Sequence, residues 1–319
     1  RIKAAAYERG VRGAKRLPGT VVSVGNITAG GTGKTPMVIW LAGELAGEGE
    51  KVGVLTRGYR GSSHNGLPQS DEVAILRSRL GESVPIAVGA DRFASGMKLA
   101  GSGVDHFVLD DGFQHLQLAR DADIVMIDAS DPFGGGRCLP AGRLREPVSA
   151  LDRADLIVIT RAERAPAVET RVRRHTGAPI FYAVTELRDV VRLSGANRLA
   201  EVAPAEWRAL KFFAFCGIGN AAAFFTDLRA WGFNVKETEA YPDHYRYEQM
   251  DATELEARCR ANEADALICT EKDIFNLREV QFSAAPVFVA RISLRVIDAK
   301  GFSMALRGVL ESKRTGAAM

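Results

Sequence analysis

Lys34 and Thr35 close a glycine-rich run, Thr28-Ala29-Gly30-Gly31-Thr32-Gly33, and these residue types at this spacing suit a phosphate chain. The lysine ammonium can reach β- and γ-phosphates, and the adjacent hydroxyl can ligate Mg²⁺. Glycines let the backbone turn its N–H groups inward, and a helix starting here adds its positive end. Thr28 stands where the G-x-x-x-x-G-K-[ST] pattern has its first glycine, so one position departs from the strict form. Nucleotide triphosphate binding by residues 28 to 35 is the expectation.

A second acidic feature fits the same chemistry. His106-Phe107-Val108-Leu109 is a short apolar run that ends in Asp110 and Asp111. In phosphate-loop enzymes such a strand delivers a carboxylate to the metal beside the loop. Two adjacent aspartates could equally cap the following turn, and which of them would touch metal stays open. Gln114 and His115 follow at once, placing an amide and an imidazole near the same edge.

A phosphotransferase acting on a hydroxyl also needs a proton acceptor, commonly Asp or Asp with His. Asp71 and Glu72 form an acidic pair at an expected helix start, where capping and dipole complementation are the alternative role. His244 lies in the loop Tyr241-Pro242-Asp243-His244-Tyr245, and a lone loop histidine is also common as surface decoration. The base-reading pattern of GTPases has only distant echoes, at Thr160-Arg161-Ala162-Glu163 and Thr270-Glu271-Lys272-Asp273, so ATP is expected over GTP.

These residues need a scaffold, and the hydrophobic pattern supplies one. Short apolar runs at 20–24, 52–56, 84–88, 106–110, 123–128, 155–160 and 180–184 alternate with helical stretches at 35–46, 71–80, 91–100 and 164–176. Such alternation predicts a parallel sheet with helices on both faces. The loops at 58–70 and 131–147 are long for α/β connections, a length that usually accompanies function or mobility. Residues 186–210 break the pattern and read as a linker or hairpin. A smaller α/β domain is expected over 211–297, and a helix at 298–319 is expected to pack back on the first domain of residues 1–185.

At 319 residues the chain is long enough for two domains, and its net charge of +3 excludes little. The first sixteen residues concentrate Arg1, Lys3, Arg9, Arg12, Lys15 and Arg16 against a single Glu8, which fits either a solvated helix face or a segment drawn to anionic lipid. No run of about 20 apolar residues is present. Because the sequence opens on Arg, a preceding segment is expected. Cys138, Cys216, Cys259 and Cys269 lack paired ligand spacing and read as reduced, mostly buried thiols of a cytosolic protein, with no zinc site.

Taken together the motifs resemble the tetraacyldisaccharide 4′-kinases. The resemblance runs from Gly25-Asn26-Ile27 through the phosphate loop to Pro36. It continues in Thr56-Arg57-Gly58-Tyr59, Gly89-Ala90-Asp91-Arg92, Asp110 to His115 and Gly142-Arg143-Leu144-Arg145-Glu146-Pro147. It ends with Cys216-Gly217-Ile218-Gly219-Asn220, Tyr241-Pro242-Asp243-His244 and Thr270-Glu271-Lys272-Asp273. That resemblance implies two α/β/α domains joined by a β-ribbon. It also implies transfer of the γ-phosphate of ATP to the 4′-hydroxyl of an acylated glucosamine disaccharide 1-phosphate, at the cytoplasmic face of the bacterial inner membrane.

By the same resemblance Asp71 is the base and His244 its assistant, Asp110 and Asp111 serve metal and phosphate, and Gln114, His115 and Glu146 line the cleft. An N-terminal hydrophobic helix at the membrane would precede the basic run, and no nucleic-acid partner is implied. Two other classes remain open. One is a nucleotide-switched ATPase or GTPase acting through a protein partner, although the second lysine of such deviant loops is replaced by Ala29. The other is a kinase of soluble sugars.

Overall fold

The computed structural model describes residues 13–58, 63–64, 67–68, 70–194 and 198–316. Most of the basic N-terminal run and most of the 58–70 loop therefore lie outside the described residues. The chain divides into two compact units. The first comprises Arg1–Thr185 with Leu294–Met319, and the second Glu186–Ser293.

The first unit is built on parallel strands. β1 (Thr20–Asn26), β2 (Val52–Thr56), β5 (Ile86–Val88), β6 (His106–Asp110), β7 (Ala122–Asp128), β8 (Leu156–Thr160) and the start of β9 (Ile180–Ser194) stand in the order β5-β2-β6-β1-β7-β8-β9. The pairings recorded between these neighbours are parallel. Two short strands, β3 (Ser63–His64) and β4 (Leu67–Pro68), form an antiparallel pair of their own.

Near-continuous apolar runs explain this choice, since a sheet covered on both faces has no polar side to show. Every residue of β1 and of β7 is buried. Alternate residues feed opposite cores. Val22, Val24, Ile124 and Met126 join one cluster, while Val125 and Ile127 join another on the other face. Helices α1 (Lys34–Gly47) and α2 (Asp71–Leu80) cover the first cluster through Met37, Val38, Leu41, Leu76 and Leu80.

The helices α3 (Arg92–Gly101) and α4 (Pro166–Arg173) complete the connections. The last helix of the chain, Ala299–Gly316, packs in the first unit with Phe302 and Leu306 buried. The Phe302 ring meets Trp40 and Phe181 edge-on, each 5.3 Å between centroids. Of the basic run, Lys15 lies over the Phe93 ring and Arg16 pairs with Asp121 at 2.8 Å, so both are engaged with the fold.

The second unit holds a smaller parallel sheet. β11 (Lys211–Cys216), β12 (Asn234–Ala240), β13 (Ala266–Thr270) and β14 (Val287–Val296) stand in the order β12-β11-β13-β14. Phe213, Phe215 and Leu267 enter one core and Phe212, Ala214 and Ile268 the opposite one. Helices α5 (Pro204–Arg208), α6 (Ala221–Ala230) and α7 (Gln249–Ala261) connect the strands.

The segment 186–210, expected as a linker or hairpin and by the resemblance as a β-ribbon, holds an antiparallel strand pair. β9 runs on to Ser194 and pairs antiparallel with β10 (Arg198–Glu201), a ribbon belonging to the second unit. Glu186, Arg188, Asp189 and Arg192 break the apolar alternation and hide the strand from a sequence reading. Asp189 is held by Arg291 of β14, Oδ2 to Nη2 at 2.9 Å, while Val190 and Val191 are buried. Unit 1 likewise resumes at Leu294, inside β14, a few residues before the expected helix. Cys216, Cys259 and Cys269 are buried and Cys138 exposed, all as free thiols. Among the described residues no helix is long and apolar enough to cross a membrane.

Candidate functional site

Five neighbouring strands of the first unit end on a buried polar residue: Thr56, Asp110, Asn26, Asp128 and Thr160, none more than 5% exposed. Open parallel sheets bind ligands beyond these carboxyl ends, where the strand order reverses. The reversal here falls at β1, and the glycine-rich loop leaves its end.

The loop is pinned on both sides. Ala29 donates its N–H to the Arg143 carbonyl at 2.6 Å, and the Arg145 N–H donates to the Ile27 carbonyl at 2.7 Å. Thr28 bridges Leu144 as a single antiparallel pair. That explains the departure from glycine at this position: Thr28 is not among the residues with positive φ and has no need of glycine's freedom. The freedom is used at Gly30 (φ 117°) and at Gly33 (φ 84°), the N-cap of α1. The pinning also engages the Ala29 amide, expected to face phosphate, with Arg143. Asn26 Nδ2 donates to Thr32 Oγ1 at 3.0 Å, and Thr160 Oγ1 donates to the Thr32 carbonyl at 3.2 Å.

Lys34 and Thr35 open α1, and the Lys34 ammonium sits 3.5 Å from Asp111 Oδ1. Arg145 grips the same carboxylate through one Nη1, 2.8 Å from Oδ1 and 2.7 Å from Oδ2. Asp111 holds φ 50°, a left-handed backbone that a non-glycine residue adopts at some cost. Burial pushes its carboxyl upward, but Lys34 and Arg145 outweigh this and hold it below the usual carboxylate range.

Asp110 behaves oppositely. Burial, with the charges of Glu72 and Asp111, raises it to about 6, against the smaller pull of a hydrogen bond from Thr56 Oγ1 at 2.9 Å. The two adjacent aspartates therefore divide into one neutralised by protein cations and one kept short of them. Buried Arg92 feels burial first, then the charge of Arg57, both lowering its pKa.

Of the other expected residues, Glu72 lies close enough to act electrostatically on Asp110. Asp71 is the first residue of α2, but the cap is Ser70, whose Oγ accepts from Val73 N at 3.3 Å. Gln114 donates from Nε2 to the Asn26 carbonyl at 2.9 Å and to Glu146 Oε1 at 3.0 Å, while Glu146 accepts from Arg153 at 2.7 Å. Gln114 and Glu146 thus stand together behind the loop. His115 sits in the next turn, its carbonyl accepting from Arg120 at 3.0 Å.

Asn26, Thr56, Arg145 and Thr160 are functional-site residues to which sequence reasoning gave no role. A polar residue closing an apolar strand was the common signal of Asn26, Thr56 and Thr160; Arg145, in the 131–147 loop, offered none. His244 belongs to the second unit, where its Nε2 lies 3.2 Å from Lys272 Nζ.

The family model described as tetraacyldisaccharide-1-P 4′-kinase (LpxK) matches residues 1–311. The chain belongs to this family. The tetraacyldisaccharide 4′-kinase of Pelobacter propionicus is 36% identical over 98% of this chain and 89% of its own length. That of Geobacter metallireducens is 38% identical over 97% and 94%. The solved structure of LpxK from Aquifex aeolicus in complex with ATP is 28% identical, covers 97% of this chain and 94% of that one, and superposes with a TM-score of 0.69. Membership bears out the α/β fold with its mainly parallel sheet and the expected kinase activity toward a lipid A precursor.

Proposed function

We propose that this chain transfers the γ-phosphate of ATP, bound with Mg²⁺, to the 4′-hydroxyl of an acylated glucosamine disaccharide 1-phosphate. The observation that carries the reading is the pinned glycine loop with Lys34 beside two strand-end aspartates whose carboxyls are pushed in opposite directions. Lys34 and the free loop amides hold the β- and γ-phosphates. The residues fit a Mg²⁺ ion: Asp110 offers a buried carboxylate whose hydrogen bonding is supplied by Thr56 alone among the described residues, and Thr35 offers a hydroxyl. When bound, that ion neutralises charge on the phosphoryl group in flight. Asp111 stays ionised between Lys34 and Arg145 and keeps the lysine aimed at the loop.

Asp71 accepts the proton of the sugar hydroxyl, assisted by His244. Catalysis is then mainly positioning and charge stabilisation. The acceptor is lipid, and the work is done at the cytoplasmic face of the bacterial inner membrane. Asp71→Ala is expected to lower kcat by ~10²–10⁴-fold with ATP affinity near wild type, the usual worth of a proton acceptor. Steady-state kinetics beside calorimetric ATP titration measure both, and weakened ATP binding alone would remove Asp71 as the base. A nucleotide switch acting through a protein partner would instead hydrolyse ATP at a rate indifferent to the lipid acceptor.

A further inference from the structure

Three motifs of the second unit leave the ends of adjacent strands. Cys216–Asn220 follows β11, Tyr241–His244 follows β12 and Thr270–Asp273 closes β13. The chain goes from β11 to β12 on one side and returns to β13 on the other, so the reversal that marks ligand crevices lies among these loops.

A buried carboxylate ties the loops together. Asp273 is fully buried and accepts four hydrogen bonds, from Gly217 N (2.7 Å), Tyr247 Oη (2.9 Å), Thr270 N (3.0 Å) and Thr270 Oγ1 (2.6 Å). Gly217 in turn accepts at its carbonyl from His244 N at 3.1 Å. His244 is held there at φ 62°, a conformation that persists only where the surroundings over-determine it.

The neighbouring Lys272 directs its ammonium at two groups, Asp243 Oδ1 at 3.1 Å and His244 Nε2 at 3.2 Å. An ammonium donates and never accepts, so the His244 nitrogen facing it must carry a lone pair. The ring proton then sits on Nδ1, since the bond made by one ring nitrogen fixes the state of the other. Asp243 Oδ2, 3.9 Å from Nε2, lies beyond hydrogen-bond range, and this carboxylate serves the lysine through Oδ1 instead.

We propose that Lys272 is a positioning residue for His244, fixing its ring orientation and its Nδ1–H tautomer. The inference rests on the reading that His244 assists proton removal in this kinase. The ring then offers its second nitrogen as a donor, suited to an oxygen of a carboxylate or of a sugar hydroxyl.

Long-range nitrogen–proton NMR of the labelled full chain reads the tautomer directly, with His244→Gln identifying its signals among the five histidines. The wild-type ring is expected as Nδ1–H. Lys272→Met is expected to shift it toward Nε2–H, and Lys272→Arg, which keeps a donor, to preserve the wild-type form. In parallel, Lys272→Met should lower kcat about 10-fold, less than loss of a base itself, with the KM for ATP nearly unchanged. In a His244→Gln background it should cost nothing more.

An Nε2–H ring in wild type, an unchanged ring in Lys272→Met, or an equal loss in the His244→Gln background would each overturn the proposal. The wild-type spectrum, once His244→Gln has identified the signals, decides the first point without a Lys272 variant. Absence of phosphate transfer by wild type would count against the kinase reading, while the spectra would still judge the tautomer.

Discussion

Asp110 and Asp273 are buried aspartates at or just beyond the end of a parallel strand, and burial raises both carboxyls above their ordinary value. Their surroundings differ. Asp273 accepts four hydrogen bonds from three segments of its unit. Asp110 accepts one, from Thr56, and faces the further negative charges of Glu72 and Asp111. A carboxylate whose lone pairs are all used holds a fold together. One left short of partners beside a phosphate loop is prepared for a cation that arrives with substrate.

The comparison breaks first at Asp273→Ala. Removing the acceptor strands buried backbone and hydroxyl donors, and urea unfolding should show a loss of about 3–5 kcal/mol. Asp110→Asn should do the reverse in nucleotide-free protein. The native carboxyl keeps its proton to about 6, whereas an unfolded one releases it near 3.8. Wild type therefore loses stability relative to Asp110→Asn as pH rises from 4 through 6. The gap should reach about 3 kcal/mol at neutral pH and close below pH 4. Thermal unfolding across that window measures it, and a cost at neutral pH matching that of Asp273→Ala would erase the distinction. The smallest effects are expected at Thr56→Val and Tyr247→Phe, each removing one hydroxyl donor for about 1 kcal/mol in urea unfolding.

Much of the first unit was legible in its sequence because its strands are buried on both faces and read as unbroken apolar runs. Lys34, Thr35, Asp110 and Asp111 were legible for a related reason, since glycine-rich turns and strand-end acids have few other uses together. The ribbon at 186–201 was legible only as a linker or hairpin, because Arg188 and Asp189 spoil an alternation that partners such as Arg291 repair. Thr28 looked anomalous because the bridge to Leu144 joins residues far apart in sequence. Arg145, named within a motif, was given no role for the same reason: its link to Asp111 spans 34 positions. Asp273 sat inside a recognised motif, yet its saturation by Gly217 and Tyr247 could be seen only in three dimensions.

The measurement that tests the account most directly is transfer of radiolabelled γ-phosphate from ATP to purified acylated disaccharide 1-phosphate in detergent micelles, with Lys34→Ala alongside. The account predicts a labelled lipid that requires Mg²⁺ and disappears in the variant. ATP hydrolysis that depends on Lys34 but labels no lipid would contradict it.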